Sequence, residues 1–402
     1  MSKQAAFLVL NAGSSSLKFS AFRQHSSSDD LETLLSGQIS GIGSIARFEA
    51  RGSDRRLLAE HAWDDKDSLC RDTLLQYVLR WIRTTLVDDE IVAVGHRVVH
   101  GGRKLGIPMR VSPKLLDELD SLIPLAPLHQ PHNLAPIRIL ARSFPDLEQV
   151  ACFDTAFHSK QPWLARTYAL PQALTDEGVC SYGFHGLSYE YVTGQLLANR
   201  PDLADKCIVI CHLGNGSSIC AVKGGQSMDT SMGFSALDGL PMGTRTGSLD
   251  PGVILYLMRE KQMGLEALED LLYKQSGLLG VSGLSNDMKV LQESNDPQAA
   301  KAVELFCFRV AKEVAALASS MGGLDALVFT AGIGENSPRI RAMISERLAW
   351  LGVKIDAGAN ASKAYDISQV DSKVPVFVVP TNEEMMIAKH TINVLGQMMG
   401  NA

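Results

Sequence analysis

Two stretches, FLVLNAGSSSLKF (7–19) and CIVICHLGNGSSICAV (207–222), decide how this chain is read. Each runs from an apolar strand through a polar turn with Gly and Ser-Ser into a second apolar strand. That form predicts a β-hairpin with a polar tip. The two lie about 200 residues apart, so a duplicated domain with an anion-gripping hairpin in each half is the informative reading. A chance echo of this size is the plainer alternative.

Other short apolar runs read as buried strands at 91–94, 150–153, 327–330 and 374–379. Between them the pattern predicts helices over 67–85, 133–143, 189–198, 265–275, 297–321 and 337–351. The stretch 297–321 is the clearest, because Ala302, Leu305, Phe306, Val310 and Val314 repeat at helical spacing after an Asp-Pro start. Strands alternating with helices predict α/β layers. The segment 24–56 reads instead as turns, short strands and loops.

At 402 residues, and roughly 150 per domain, the chain suggests two or three domains. Apolar residues make up 46% and charged residues 20%, which excludes a collagenous, disordered or disulfide-stapled chain. The charge balance is 38 − 44 = −6, so nothing points to a bulk nucleic-acid binder or a basic membrane-surface protein. No segment approaches the ~18 apolar residues needed to span a bilayer. The start, MSKQAAFLVLNAG, reads as a first strand and not as a signal peptide. Seven scattered cysteines without a CxxC suit a reducing cytosol.

Several clusters carry chemistry. The tip Asn11–Lys18 offers backbone N–H groups, three hydroxyls, an amide and an ammonium; such a turn can form an anion-binding nest, although a simple turn explains it as well. The same holds for His212–Ser218. Thr330–Asn336 is a third Gly-rich turn, after a strand and before a helix, where glycines let a nucleotide approach the backbone. In GHRVVHGG (95–102) the His-x3-His spacing lacks the Glu of a zinc helix, whereas Arg97 at a strand end suits a carboxylate or phosphate. Arg245 in MGTRTG offers a second such group. Asp154 follows a buried-looking run, where an unpaired carboxylate is costly. His185 in YGFHG is either a satisfied core histidine or a donor to a developing anion. Near the C-terminus, Asn382, Glu383 and Glu384 read, viewed alone, as an N-cap cluster with two acids on the helix dipole.

Taken together, FLVLNAGSSSLKF, GHRVVHGG, LAPLHQPHN, FDTAFH, YGFHG, CHLGNGSS, DTSMG, MGTRTG, SGLLG, FTAGIGENSPRIR and PTNEEMMIA resemble the acetate/propionate kinases, in the family's order from residue 7 to residue 390. The resemblance implies a duplicated ribonuclease-H-like fold of the actin/hexokinase/Hsp70 type, with two α/β domains around a nucleotide cleft. The expected division is 1–153 plus 383–402, and 154–382. The implied reaction is ATP plus a short-chain carboxylate giving ADP plus acyl phosphate. The enzyme is expected to need Mg²⁺, or Mn²⁺ in its place, and to be a cytoplasmic homodimer with no nucleic-acid or membrane partner.

The resemblance also assigns roles. Asn11 and Glu383 fall where the family holds the metal, and Lys18 where it contacts ATP phosphates. His212, Leu213, Gly214, Asn215 and Gly216 match its phosphate loop; Gly332, Ile333, Gly334, Glu335 and Asn336 match its adenosine loop. Asp287, Met288 and Lys289 form its third nucleotide segment. Arg97, Arg245, Asp154 and His185 match catalytic positions, and His129 lies in another active-site histidine motif. Val99, Leu128, Phe184 and Ala236 fall around the acyl pocket.

The chain departs from the family at Cys180-Ser181, at Leu187-Ser188-Tyr189, where Thr-Ser-His is usual, at Lys289 for Arg, at Thr246-Gly247-Ser248, and at Ala236 for Pro. These bear on nucleotide affinity and acyl preference. The rival readings are a propionate-preferring kinase, a sugar kinase of the same superfold and a non-catalytic ATP-binding module.

Overall fold

The computed structural model describes residues 3–24, 31–63 and 70–399. The chain forms two compact units, Met1–Ala156 with Asn382–Ala402, and Phe157–Thr381.

The first unit holds β1 (Gln4–Ala12), β2 (Ser16–Gln24), β3 (Leu31–Ser40), β4 (Arg47–Gly52), β5 (Leu57–Ala62), β6 (Asp89–Val98), β7 (Met109–Arg110) and β8 (Glu148–Phe153). They make one sheet in the order β5-β4-β3-β2-β1-β6-β8-β7. The second unit holds β9 (Ile208–Leu213), β10 (Ser217–Lys223), β11 (Gln226–Thr230), β12 (Ala326–Thr330) and β13 (Val376–Val378), in the order β11-β10-β9-β12-β13.

Both sheets repeat one plan. β1, β2 and β3 form an antiparallel meander, and β6 and β8 then add parallel to β1. Likewise β9, β10 and β11 form an antiparallel meander, with β12 and β13 parallel to β9. Both hairpins expected from the sequence are present, in equivalent places. Parallel strands need a crossover, usually helical, and the helices Arg71–Thr85, Gln130–Ser143, Pro297–Met321 and Pro338–Arg347 lie in those connections.

The helix Pro297–Met321 matches its expected bounds. Asp296 caps it by accepting from Gln298 N–H, Pro297 fills its first turn, and Gly322 at φ +80° ends it. It buries Val303, Phe306, Val310, Val314 and Leu317 in the core that also takes Val209, Cys211, Ile219 and Ala221 of β9 and β10. In the first unit the C-terminal helix Glu383–Met399 packs on β1, β6 and β8. Gly95 of β6 permits that contact, because a methyl there would come within 2.3 Å of Thr391 Oγ1 and 2.6 Å of Ile387 Cγ2.

Three expectations change. Segment 24–56 is largely long strand, β3 and β4, although residues 25–30 lie outside the described residues. Its polar residues and Gly37 hid this, but Gly37 is where Phe19 crosses the strand: a methyl there would lie 2.3 Å from the Phe19 ring. The turn 330–336 is the short helix Ala331–Asn336, entered through Ala331 at φ +64°. Finally, 337–351 divides into the helix Pro338–Arg347 and the turn Ala349–Leu351. Residues 67–69 of the expected helix 67–85 are outside the described residues.

Burial pushes the imidazoles of His96, His100 and His158 down from 6.5 to about 4. In the unfolded chain these groups take up protons near pH 6.5, so between pH 6.5 and 4 the unfolded state binds more protons and stability falls as pH falls. Each histidine should cost on the order of 1 kcal/mol by pH 5.5. Urea midpoints between pH 5 and 8 check this, and a flat profile contradicts it.

Candidate active site

In the first unit the site grows from the adjacent ends of β6 and β8. Asp154 directly follows β8 and is 1% exposed. Arg97 grips it with both edges of the fork, Nε to Oδ1 at 3.0 Å and Nη2 to Oδ2 at 2.6 Å. Burial pushes the Asp154 carboxyl up while the guanidinium pulls against it. Arg97 loses solvation, yet Asp154 and Glu383 together raise it further above its ordinary value. It is a fixed charge.

Its remaining nitrogen, Nη1, faces Asn11 Oδ1 at 3.4 Å and Glu383 Oε2 at 3.7 Å. Asn11 is the last residue but one of β1 and pairs in register with Lys18, which is exposed on β2. Glu383 opens the C-terminal helix, where Asn382 Oδ1 accepts from Met385 N–H at 2.9 Å. Asn11 and Glu383 thus bring two oxygen donors to one point. Among the described residues no group of three or more His, Cys, Asp or Glu side chains could hold a metal. Two protein oxygens completed by phosphates and water suit Mg²⁺ better than a dedicated protein cage.

The LAPLHQPHN motif turns out to be largely scaffolding. Asn133 donates to Ala12 O at 2.6 Å and accepts from Val99 N–H at 2.9 Å, tying β1 to the exit of β6. Gln130 serves His100 in the same way, donating to its carbonyl and accepting from its N–H. His129 starts this helix, half-buried, as is Leu128; Val99 is buried. His96 pairs with Gln149 at 2.8 Å and is a core histidine.

In the second unit the hairpin tip between β9 and β10 separates two features. Gly214 and Asn215 line a cavity of about 710 Å³, within the usual range for small-molecule sites. Its other walls are Asn286–Lys289, Gln292 and Glu293 on one side, and Gly332, Ile333 and Asn336–Arg339 on the other. On the far side of the tip a methyl on Gly216 would lie 3.4 Å from His185 Nε2 and 3.9 Å from Arg245 Nη1. Gly243 has no room for a side chain, since a methyl there would meet Asn215 Oδ1 at 2.0 Å.

His185 sits at φ +58° before the helix Gly186–Asn199, its Nδ1 at 2.9 Å from Ser218 Oγ, and stacks on His212 at 4.2 Å. Arg245 donates from Nη1 to the Ala236 carbonyl at 3.0 Å. Phe184 is buried, and its carbonyl is held by His158 Nε2 at 2.9 Å.

Some assigned residues reach the cavity only through the backbone or not at all. The side chains of Leu213 and Met288 belong to the core. His212 Nδ1 is hydrogen-bonded with Ser188 Oγ at 2.8 Å. Asp287 Oδ1 caps its own short helix at Lys289 N–H, 2.7 Å away. Glu335 Oε1 accepts from Ala331 N–H and Thr381 N–H; with the buried Gly334, it organises the loop from behind. The reading from sequence missed Arg339, a cation on the cavity wall, and Arg341, fully buried and donating to the carbonyls of Gly334, Glu335 and Asn360. Both stand in the quoted run SPRIR, but nothing local separates a wall residue from a buried strut.

The acetokinase family profile matches residues 6–389. The acetate kinase of Nitrobacter hamburgensis is 49% identical over 390 residues, covering 97% of this chain and 96% of the relative. Among solved structures, a propionate kinase from Francisella tularensis subsp. tularensis superposes with TM-score 0.89 at 37% identity, covering 97% of this chain and 100% of that one. An acetate kinase from Porphyromonas gingivalis gives TM-score 0.86 at 34% identity, with the same coverage. A profile match along nearly the whole chain, with relatives this similar over their full length, places the protein in the acetokinase family.

Proposed function

We propose that this protein is an ATP-dependent short-chain carboxylate kinase that phosphorylates acetate, and propionate with comparable efficiency. The observation that carries the reading is the convergence of His185 Nε2 and Arg245 Nη1 on the tip whose other side lines the 710 Å³ cavity. A nucleotide in that cavity would present its phosphates to Gly214–Gly216, with Lys289 and Arg339 on the wall.

In phosphoryl transfer the protein mainly positions reactants and offsets charge on the equatorial oxygens. The family resemblance assigns that task to Arg97, Arg245 and His185. A carboxylate acceptor, with a pKa near ~4–5, is already ionised at neutral pH and needs no general base. Asp154 therefore orients Arg97 through the bidentate contact and moves no proton. Mg²⁺, held through Asn11 and Glu383, would screen charge between the phosphates, and Lys18 would add a contact to them. Val99, Leu128, Phe184 and Ala236 would bound the acyl chain, and His129 would flank it.

The reading includes a cytoplasmic homodimer. The helix Pro251–Glu260 buries none of its residues and exposes Val253, Leu255, Tyr256 and Met258 around its circumference, apolar surface suited to a second copy. Sedimentation at micromolar concentration should give twice the chain mass; a monomer would refute that part.

Trapping acyl phosphate with hydroxylamine tests the function, using C2–C4 acids against glucose and glycerol. The reading fails if no acid yields a hydroxamate with Mg-ATP. One buried methylene is worth about 0.8 kcal/mol, roughly a fourfold effect. Acetate and propionate should therefore have kcat/KM values within about tenfold of each other. Butyrate should be much poorer, and Val99→Ala should shift the ratio toward propionate. A hundredfold preference for C2 or C3 would contradict the pocket assignment.

The two arginines should separate on stability. Arg245→Ala should lower turnover on the order of 10³-fold with little change in urea midpoint. Arg97→Ala should lower turnover as much and also cost about 3 kcal/mol at pH 7, because it strands a buried carboxylate. That loss should shrink at pH 5, where Asp154 can take up a proton. Equal stability for both variants would show Arg97 to be dispensable to the fold.

A further inference from the structure

His158, the histidine of FDTAFH, is completely buried in the second unit. Its Nε2 lies 2.9 Å from the Phe184 carbonyl oxygen, and its Nδ1 lies 2.8 Å from Ser227 Oγ on β11. A carbonyl can only accept, so Nε2 carries a proton and donates it. Burial keeps the ring neutral at pH 7, which leaves Nδ1 as an acceptor for the Ser227 hydroxyl. Gln161 donates in turn to Ser227 Oγ at 2.9 Å. The ring is held at both nitrogens.

What the ring holds is a peptide plane. The Phe184 carbonyl belongs to the rigid peptide that joins Phe184 to His185, so its direction sets ψ of Phe184 and φ of His185 together. His185 stands at φ +58° and ψ +23°, and Gly183 at φ +74°. Left-handed backbone is uncommon outside glycine and persists only where the surroundings over-determine it. The His185 side chain makes no capping hydrogen bond to the helix it opens, so the helix start alone does not account for the conformation. If His185 relaxed to negative φ, the peptide would rotate and turn the carbonyl away from Nε2. That would strand a buried donor, which is unfavourable. Gly183 makes the contact possible, since a methyl there would lie 2.6 Å from the His158 ring.

We propose that His158 is a positioning residue that locks His185 in its left-handed conformation through the Phe184 carbonyl. The lock aims the imidazole that stacks on His212 at 4.2 Å and faces Gly216. His158 lines none of the 710 Å³ cavity, so its loss should disturb the aim of His185 and leave nucleotide binding alone. The kinetic part of the proposal rests on the carboxylate-kinase reading; the lock does not.

The test is a pair of variants of the full chain. His158→Gln puts an amide nitrogen where Nε2 stands and keeps a donor for Phe184. His158→Asn puts its amide where Nδ1 stands, keeps a partner for Ser227 and loses Phe184. Crystal structures should show the peptide between Phe184 and His185 unchanged in His158→Gln, and rotated, with His185 at negative φ, in His158→Asn. His158→Asn should lower kcat on the order of 10²-fold, the scale for a reacting group misplaced by about 1 Å, with KM for ATP and for acetate unchanged. His158→Gln should keep most of the wild-type rate. Where the Asn variant does not fold, His158→Phe, which keeps the ring shape and lacks both nitrogens, is read in the same way. An unrotated peptide without the Nε2 donor would overturn the lock, and a rotated peptide with unchanged kcat would overturn its part in positioning. Equal losses in the Gln and Asn variants, with KM raised in both, would make His158 a structural residue only and overturn the proposal. If the peptide rotates as expected but the wild type forms no acyl phosphate with any acid, the kinase reading falls and the lock stands.

Discussion

A carboxylate cannot be left alone inside a protein, and Asp154 is 1% exposed. The first unit is organised around that constraint. The carboxyl sits at the exit of β8, and its N–H bonds to the Val98 carbonyl at 3.0 Å, which brings it beside the end of β6. Arg97, one residue back on β6, is then within reach with both edges of its guanidinium. Once the fork is committed to Asp154, one nitrogen is left to face outward, and Asn11 and Glu383 gather there. The pair therefore fixes where a full positive charge stands and which oxygen donors surround it. The cost of burying two ions is substantial, which argues that the geometry is kept for chemistry and not for stability.

The two hairpins show how much of this was legible in sequence. β9 is buried along its whole length, so apart from His212 its residues are apolar and the strand announces itself. The meander of the first unit was harder to read. β3 is only partly buried over most of its length, and Gly37 is present because Phe19 needs the space; in sequence, both features look like loop. Helix starts were read where Asp or Ser with Pro marked them at Asp296-Pro297 and Ser337-Pro338, but the same signal at Ser112-Pro113 and Asp250-Pro251 went unread.

The charged and glycine-flanked residues of the site were legible as motifs because their chemistry is unusual for their surroundings. Their supports were not. Asn133 reaches Ala12 across 121 positions, Ser218 reaches His185 across 33, and Arg341 reaches Asn360 across 19. Such contacts leave no periodic trace. Asp287 and Glu335 teach the converse: both stand in segments that the family resemblance assigns to the nucleotide, yet each spends carboxylate oxygens on backbone N–H groups nearby. Position in a motif identifies a region and leaves the task of each side chain open.

The duplicated sheet also explains why two hairpins of one form have different tasks. In the first unit the carbonyls of Gly13 and Ser14 at the tip are held by the Arg71 guanidinium. That tip is fastened through its acceptors, and the outward chemistry passes to side chains just before and after it, Asn11 and Lys18. In the second unit Gly214 and Gly216 strip the tip of side chains, and Gly243 makes room behind Asn215. The backbone itself is presented, with the cavity on one side and His185 and Arg245 on the other. A common strand plan sets where each tip lies in its own sheet; the side chains, or their absence, decide what it can bind. Duplication supplied the positions, and the chemistry diverged at a few residues around each turn.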